Sequence, residues 1–181
     1  MDGWPLLMLL GGVLILVYLL LRWIGGRRRA DGRPLAVIDG SNVMYWQDKT
    51  PRLQPLAAVL AELGRRGYQT GVVFDANAGY LLAGRYLDDH ALGKALGIGQ
   101  DRVMVVPKGV QADPYLLDYA RQSGAIIISA DRFRDRLAGY PELSQPGRIV
   151  RGGYRDGALW LDLPTGSPTG GPGPDQRLAA S

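Results

Sequence analysis

The chain runs to 181 residues with 21 Lys and Arg, 17 Asp and Glu and a formal net charge of +4, and it has one histidine and no cysteine. The missing thiols exclude disulfides, zinc–thiolate centres and cysteine nucleophiles, and the lone histidine, in the polar patch Asp88-Asp89-His90, reads as a surface residue, which leaves His-paired serine chemistry without a base. Most of the positive excess precedes residue 34, where five arginines face two aspartates, while the remainder holds sixteen basic and fifteen acidic residues, so overall charge is no evidence of nucleic-acid binding.

In chain order the first element is the unbroken uncharged, mainly apolar run 4–21. At ~1.5 Å rise per residue this run nearly spans a ~30 Å hydrocarbon core. Arg22 can snorkel, Trp23 and Ile24 lengthen the run, and Trp4, Tyr18 and Trp23 suit the membrane interfaces. A cleaved signal peptide would carry its positive charge ahead of a shorter apolar region. Here Asp2 precedes the run, and Arg27, Arg28 and Arg29 follow it. The reading is a single transmembrane anchor over 1–24 and a basic juxtamembrane linker over 25–33. Arg27–Arg29 would meet anionic membrane lipids, and the positive-inside rule puts the rest of the chain on the cytoplasmic side. A buried core helix is the alternative, and apolar residues on every side of a terminal helix argue against it.

Residues 34–164 have the length of one domain. The run 35–39 reads as a buried strand and 47–51 as a loop. Leu56, Val59, Leu60 and Leu63 recur at helical spacing, which predicts a helix over 53–66 with Gly67 past its end. A strand follows over 70–74, then a helix over 80–96 interrupted at Gly84 and Gly93. A third strand over 102–106 is stopped by Pro107. A helix over 113–121 begins with Asp113 and carries Pro114 at a favoured first-turn position. A fourth strand covers 125–129 and a short helix 131–138. The segments 149–151 and 158–161 flank a turn-rich stretch and predict a hairpin. Strands alternating with helices predict an α/β fold, three layers around a central, mainly parallel sheet, with the hairpin adding antiparallel edge strands. Residues 165–181, rich in Pro, Gly, Ser and Thr, predict a disordered tail.

Aspartates punctuate these elements. Asp39 closes the run Leu35-Ala36-Val37-Ile38, Asp131 follows Ala125-Ile126-Ile127-Ile128-Ser129, Asp135 lies four residues later, and Asp113 opens the intervening helix. The carboxyl ends of parallel strands share one edge, where ligands bind, so these carboxylates are expected to converge there. Such a cluster calls for a hard cation, and Mg2+ or Mn2+ fits. Singly, each aspartate also reads as a helix cap or turn starter.

The motifs resemble those of the PIN-like NYN ribonucleases, particularly the Regnase-type branch. Val37-Ile38-Asp39-Gly40-Ser41-Asn42-Val43 is similar to that family's first strand and loop, Ala112-Asp113-Pro114-Tyr115-Leu116-Leu117 to its paired-aspartate helix start, and Ser129-Ala130-Asp131-Arg132-Phe133-Arg134-Asp135 to its third acidic motif. Gly147-Arg148-Ile149-Val150 with Ala158-Leu159-Trp160-Leu161 resembles its closing hairpin. The resemblance covers about 34–164 and implies a PIN-like nuclease domain that cleaves RNA phosphodiesters with Mg2+ or Mn2+. By matching position, Asp39, Asp113, Asp131 and Asp135 would hold or orient the metal, and Asn42 a ligand or water. One departure stands out: the family often has two adjacent aspartates where this chain has Ala112-Asp113. Asp75, after Gly71-Val72-Val73-Phe74, either compensates or simply ends its strand.

Lys49, Lys108, Arg132 and Arg134 flank the acidic motifs and read either as phosphate contacts or as solvated surface charge. Tyr45 and Trp46 either stack on unpaired bases or pack against the domain or the membrane surface. A dehalogenase-type phosphatase would repeat an aspartate where Ser41 stands, no P-loop is present, and Gly97-Ile98-Gly99-Gln100-Asp101-Arg102 lacks the third glycine of a dinucleotide motif. Two functions remain: a membrane-anchored, metal-dependent endoribonuclease acting on single-stranded or looped RNA, or a degenerate PIN-like module that holds RNA or a protein without cutting. The sequence leaves the oligomeric state open, a homodimer included.

Overall fold

Strands that read as continuous apolar runs are expected to be covered on both faces, and the computed structural model, which describes residues 32–164, shows this arrangement. Strand β1 (Leu35–Asp39) leads into a single helical turn, α1 (Gly40–Val43), and then α2 (Gln54–Arg65) and β2 (Gln69–Phe74). Two short helices follow, α3 (Ala78–Ala83) and α4 (Asp89–Leu96), before β3 (Val103–Val105), α5 (Ala112–Ser123), β4 (Ile126–Ile128) and β5 (Ile149–Val150). The five strands form one sheet in the order β3-β2-β1-β4-β5, with every neighbouring pair parallel. A separate two-stranded antiparallel ribbon, β6 (Gly152–Arg155) and β7 (Ala158–Leu161), closes the described chain.

The period-2 alternation of the strands sorts the core into two layers. Ala36 and Ile38 of β1, Val72 and Phe74 of β2 and Ile126 and Ile128 of β4 pack with Leu56, Val59 and Leu63 of α2 and Leu92 and Leu96 of α4. On the other face Val37, Val73 and Ile127 pack with Ala112, Leu116, Leu117 and Ala120 of α5. The helical spacing of those four residues fixes which side of α5 meets the sheet. Asp39 alternates with Ile38 and so lies on the α5 face, where it is 6% exposed.

Four sequence expectations change. The single helix over 80–96 is two helices. Gly84 ends α3 in the left-handed conformation (φ 68°), and the Asp88 carboxylate caps α4 by accepting from the Ala91 amide at 2.8 Å. Gly93 is no interruption: it sits buried inside α4, where a Cβ would come within 3.0 Å of the Ile98 carbonyl. The expected helix over 131–138 is an irregular loop with a 3-10 turn at Leu137–Gly139. Asp131 Oδ1 takes the Phe133 amide at 2.8 Å, and Phe133 adopts φ 49° to bury its ring in the α5 layer, which is incompatible with a helix.

The hairpin is also redrawn. Residues 149–150 form the fifth parallel strand beside β4, and Gly152–Arg155 pairs with Ala158–Leu161 instead. The tight turn at Asp156-Gly157, both with positive φ, matches the right-handed twist of a two-residue hairpin. Its strands form their own ribbon and add no edge to the main sheet. The expected transmembrane anchor at 1–24 and disordered tail at 165–181 lie outside the described residues. Among the described residues no helix is long and apolar enough to cross a membrane.

Candidate active site

The strand order reverses direction between β1 and β4, and ligands of parallel α/β sheets bind at such a switch point, beyond the strand carboxyl ends. Asp39 ends β1 there. Ile38 pairs with Ile128, so Ser129 stands level with Asp39 on the next strand. The fully buried Ser129 hydroxyl donates to Asp39 Oδ2 at 2.8 Å, and the Asn42 amide of α1 donates to Asp39 Oδ1 at 3.1 Å. The Asn42 side-chain oxygen accepts from the Ala130 amide at 3.0 Å and from Trp46 Nε1 at 2.8 Å. Asn42 therefore ties the loop after β1 to the loop after β4 and leaves its amide NH2 group as a donor. Trp46 is half-buried over Gly152, and Tyr45 packs on the α2 layer, so both take their packing role.

The loop after β2 supplies a further carboxylate. The Asp75 amide donates to Ser41 Oγ at 2.8 Å, and Asp75 Oδ1 accepts the Ala112 amide at 3.0 Å, satisfying one of the open donors at the start of α5. The same helix start carries Asp113, whose Oδ2 accepts from Arg136 Nε at 3.2 Å. Arg136 also donates to the Gln111 side chain, which fixes the loop after β4 against the α5 N-terminus. Asp131 is held by its own turn, its amide donating to Ser129 Oγ at 3.1 Å.

The electrostatics show that these carboxylates share one region. Burial pushes the Asp39 carboxyl up from 3.8 to about 7; the Ser129 and Asn42 hydrogen bonds oppose the rise, and the charges of Asp113 and Asp75 add to it. Asp113 is also raised, first by burial and then by the charges of Asp131 and Asp75, with Arg136 pulling the other way. The charges of Asp75 and Asp113 thus reach Asp39, and those of Asp75 and Asp131 reach Asp113. Asp135 is exposed and contributes to neither shift. Among the described residues no three carboxylate or imidazole groups are drawn together tightly enough to grip an ion as they stand.

The match to known proteins covers this same region. A model of the Zc3h12a-like ribonuclease NYN domain matches residues 32–145, more than half of the chain. The chain belongs to this family. The matched NYN segment runs from before β1 to just short of β5, so it includes every acidic residue of the site. No curated protein matches. Two solved structures of the nuclear proteinaceous RNase P 2 of Arabidopsis thaliana are similar in fold. One has a TM-score of 0.60 at 18% identity over 81% of this chain and 32% of that one. The other has 0.59 at 22% identity over 86% of this chain and 35% of that one. The chain spans about a third of the length of these proteins.

Within the NYN domain, Asp39, Asn42, Asp113 and Asp131 come to one edge of the sheet, whereas Asp135 is exposed in the loop after β4 and is not drawn in with them. Lys49, Lys108, Arg132 and Arg134 are all exposed in loops that follow strand ends or α1, with Lys49 in a left-handed conformation (φ 58°). Sequence reasoning missed Ser129 and Arg136 and left Asp75 undecided. Ser129 had a signal, since it ends the apolar run 125–129 level with Asp39. Asp75 and Arg136 act on partners 37 and 23 residues away, which no local pattern reveals. Ala112 is 2% exposed and packs in the α5 layer with Leu116 and Leu117, so its methyl group is part of the core.

Proposed function

We propose that this chain is a metal-dependent endoribonuclease tethered to a membrane by residues 1–24, with the NYN domain on the cytoplasmic side. The observation that carries the reading is the placement of Asp39, Asp75, Asp113 and Asp131 at the strand and helix ends around the switch point of a ribonuclease-family fold. The donors fit a hard cation: all are carboxylates, and Asp75, Asp113 and Asp131 each keep one oxygen outside the hydrogen bonds described above. Asp39, Asp113, Asp131 and Asp75 would hold Mg2+ or Mn2+, with Asp135 outside that set. Such an ion would lower the proton affinity of a bound water and neutralise the leaving oxygen of a phosphodiester.

The chain's own residues prepare this chemistry. Ser129 and the Asn42 amide fix both oxygens of Asp39, so its carboxylate is held in one orientation. Asn42 joins the β1 and β4 loops and leaves its NH2 group to orient a water or a phosphate oxygen. Lys49, Lys108, Arg132 and Arg134 line the approach and would draw the RNA backbone in. Single-stranded or looped RNA suits an open sheet edge better than a duplex.

The existing ion pair between Asp113 and Arg136 favours a second reading, in which the domain binds RNA or a protein without cutting, because a carboxylate already neutralised has less to give an ion. A cleavage assay on labelled single-stranded RNA separates the two. The proposal expects cleavage by the wild type in Mg2+ or Mn2+, abolished by chelator and by Asp39→Asn. Folded protein that binds RNA and never cuts it would establish the second.

A further inference from the structure

Between Asp75 and α4 the chain makes a rigid reversal that carries the large exposed apolar side chains of the described residues. Tyr80 is 58% exposed, Leu81 42% and Tyr86 55%. They sit on α3 and on the segment after it, with Arg85 between them and exposed. Two glycines make the reversal tight. Gly84 turns the chain at φ 68°, and a Cβ at Gly79 would lie 2.3 Å from the Leu87 amide nitrogen and 2.7 Å from the Arg85 carbonyl, so the two arms meet backbone to backbone. Leu87 anchors the return arm in the core at 8% exposure. Tyr80 and Tyr86 therefore project from abutting points of a braced turn. Among the described residues neither tyrosine side chain makes a hydrogen bond and Arg85 makes no ion pair.

Position gives this patch its meaning. Helix α3 begins three residues after Asp75, on the strand-end edge that holds the carboxylates, and β3, the neighbour of β2, ends beside it in the loop that carries Lys108. We infer that Tyr80 and Tyr86, with Arg85, form a stacking platform for unpaired bases of a single-stranded RNA whose backbone continues to the carboxylates. The inference rests on the ribonuclease reading and extends it to a substrate class. Tyrosine rings stack on any base, a guanidinium beside them meets the phosphates, and rigid display lowers the entropy lost on binding. RNA is favoured over a protein surface or lipid because α3 starts three residues after Asp75, on the strand-end edge of the carboxylates.

The test uses the full chain in detergent micelles, silenced by Asp39→Asn, and a fluorescein-labelled 12-nucleotide single-stranded RNA followed by anisotropy. Each stacked base contributes ~1–3 kcal/mol, so Tyr80→Ala/Tyr86→Ala is expected to weaken binding by at least tenfold. Tyr80→Phe/Tyr86→Phe should bind like the parent, and Arg85→Gln should flatten the dependence on salt. A perfectly paired duplex of the same sequence should not distinguish the variants. Unchanged single-strand affinity in a folded alanine variant overturns the platform, as does a loss confined to self-association or to binding vesicles of anionic lipid. Wild-type chain that neither binds nor cuts the same RNA in Mg2+ or Mn2+ overturns the ribonuclease reading itself, a result distinct from failure of the platform alone.

Discussion

At the scale of single residues, Asp39 is held in a costly state. Its folded carboxyl titrates at about 7 against 3.8 for the free group, chiefly because it is buried. Between about pH 4 and 7 the folded protein keeps a proton that the unfolded chain has lost, so stability falls as pH rises through that window and levels off above it. At ~1.4 kcal/mol for each tenfold change in proton affinity the penalty at pH 8 is on the order of a few kcal/mol. Asp39→Asn removes it while keeping an acceptor for the Asn42 amide. In metal-free buffer the variant should melt roughly 5 °C or more above the wild type at pH 8, with the gap closing near pH 4. Thermal scans across that range check this, and a gap independent of pH would contradict it.

Ala112 carries the opposite lesson. The family's paired aspartates suggest that Ala112→Asp would repair the metal site, but the methyl group lies in the apolar layer with Leu116 and Leu117. An aspartate there buries an unpaired charge, so the variant should lose several kcal/mol of stability and gain no metal affinity. A folded Ala112→Asp protein with a lowered metal requirement would refute the placement. The phase was readable beforehand, since residues 112, 116, 117 and 120 fall on one helical face.

At the scale of elements, the site is a junction of three loops, and Asp75 joins two of them. Its carboxylate caps α5 through Ala112 and also adds charge to Asp39 and Asp113. Asp75→Asn keeps the cap and removes the charge, whereas Asp75→Ala removes both. The Asn variant should keep the wild-type stability to within about 0.5 kcal/mol and lose activity or require more metal. The Ala variant should lose a further ~1–2 kcal/mol of stability. Equal melting temperatures for the two would show that the cap is unimportant.

Sequence patterns exposed the main strands because apolar runs ending in a polar residue need no tertiary context. They failed where a local polar contact won, as when the Asp131 carboxylate captured the Phe133 amide in place of a helix. They failed again at Ile149 and Val150, where two residues are too few to choose between a hairpin and a parallel neighbour.

At the scale of the molecule, the five-stranded parallel sheet follows from the alternation of strands and helices, and the reversal between β1 and β4 places the acidic residues. Strand order itself was not legible, because it is decided by which faces the helices cover. The proposed anchor makes a separate prediction. A reporter active only outside the cytoplasm, fused after residue 164, should stay inactive, and the chain should require detergent for extraction. Strong reporter activity would reverse the orientation, and full solubility without detergent would remove the anchor.

The central claim is that the converged carboxylates cut RNA internally with a divalent cation. A circular single-stranded RNA offers no ends, so its conversion to a linear product reports internal cleavage alone. The account predicts linearisation by the wild-type chain in Mg2+ or Mn2+, none in excess chelator, and none by Asp39→Asn. A circle left intact by folded wild-type protein at every metal concentration, or opened equally well by Asp39→Asn, would contradict it.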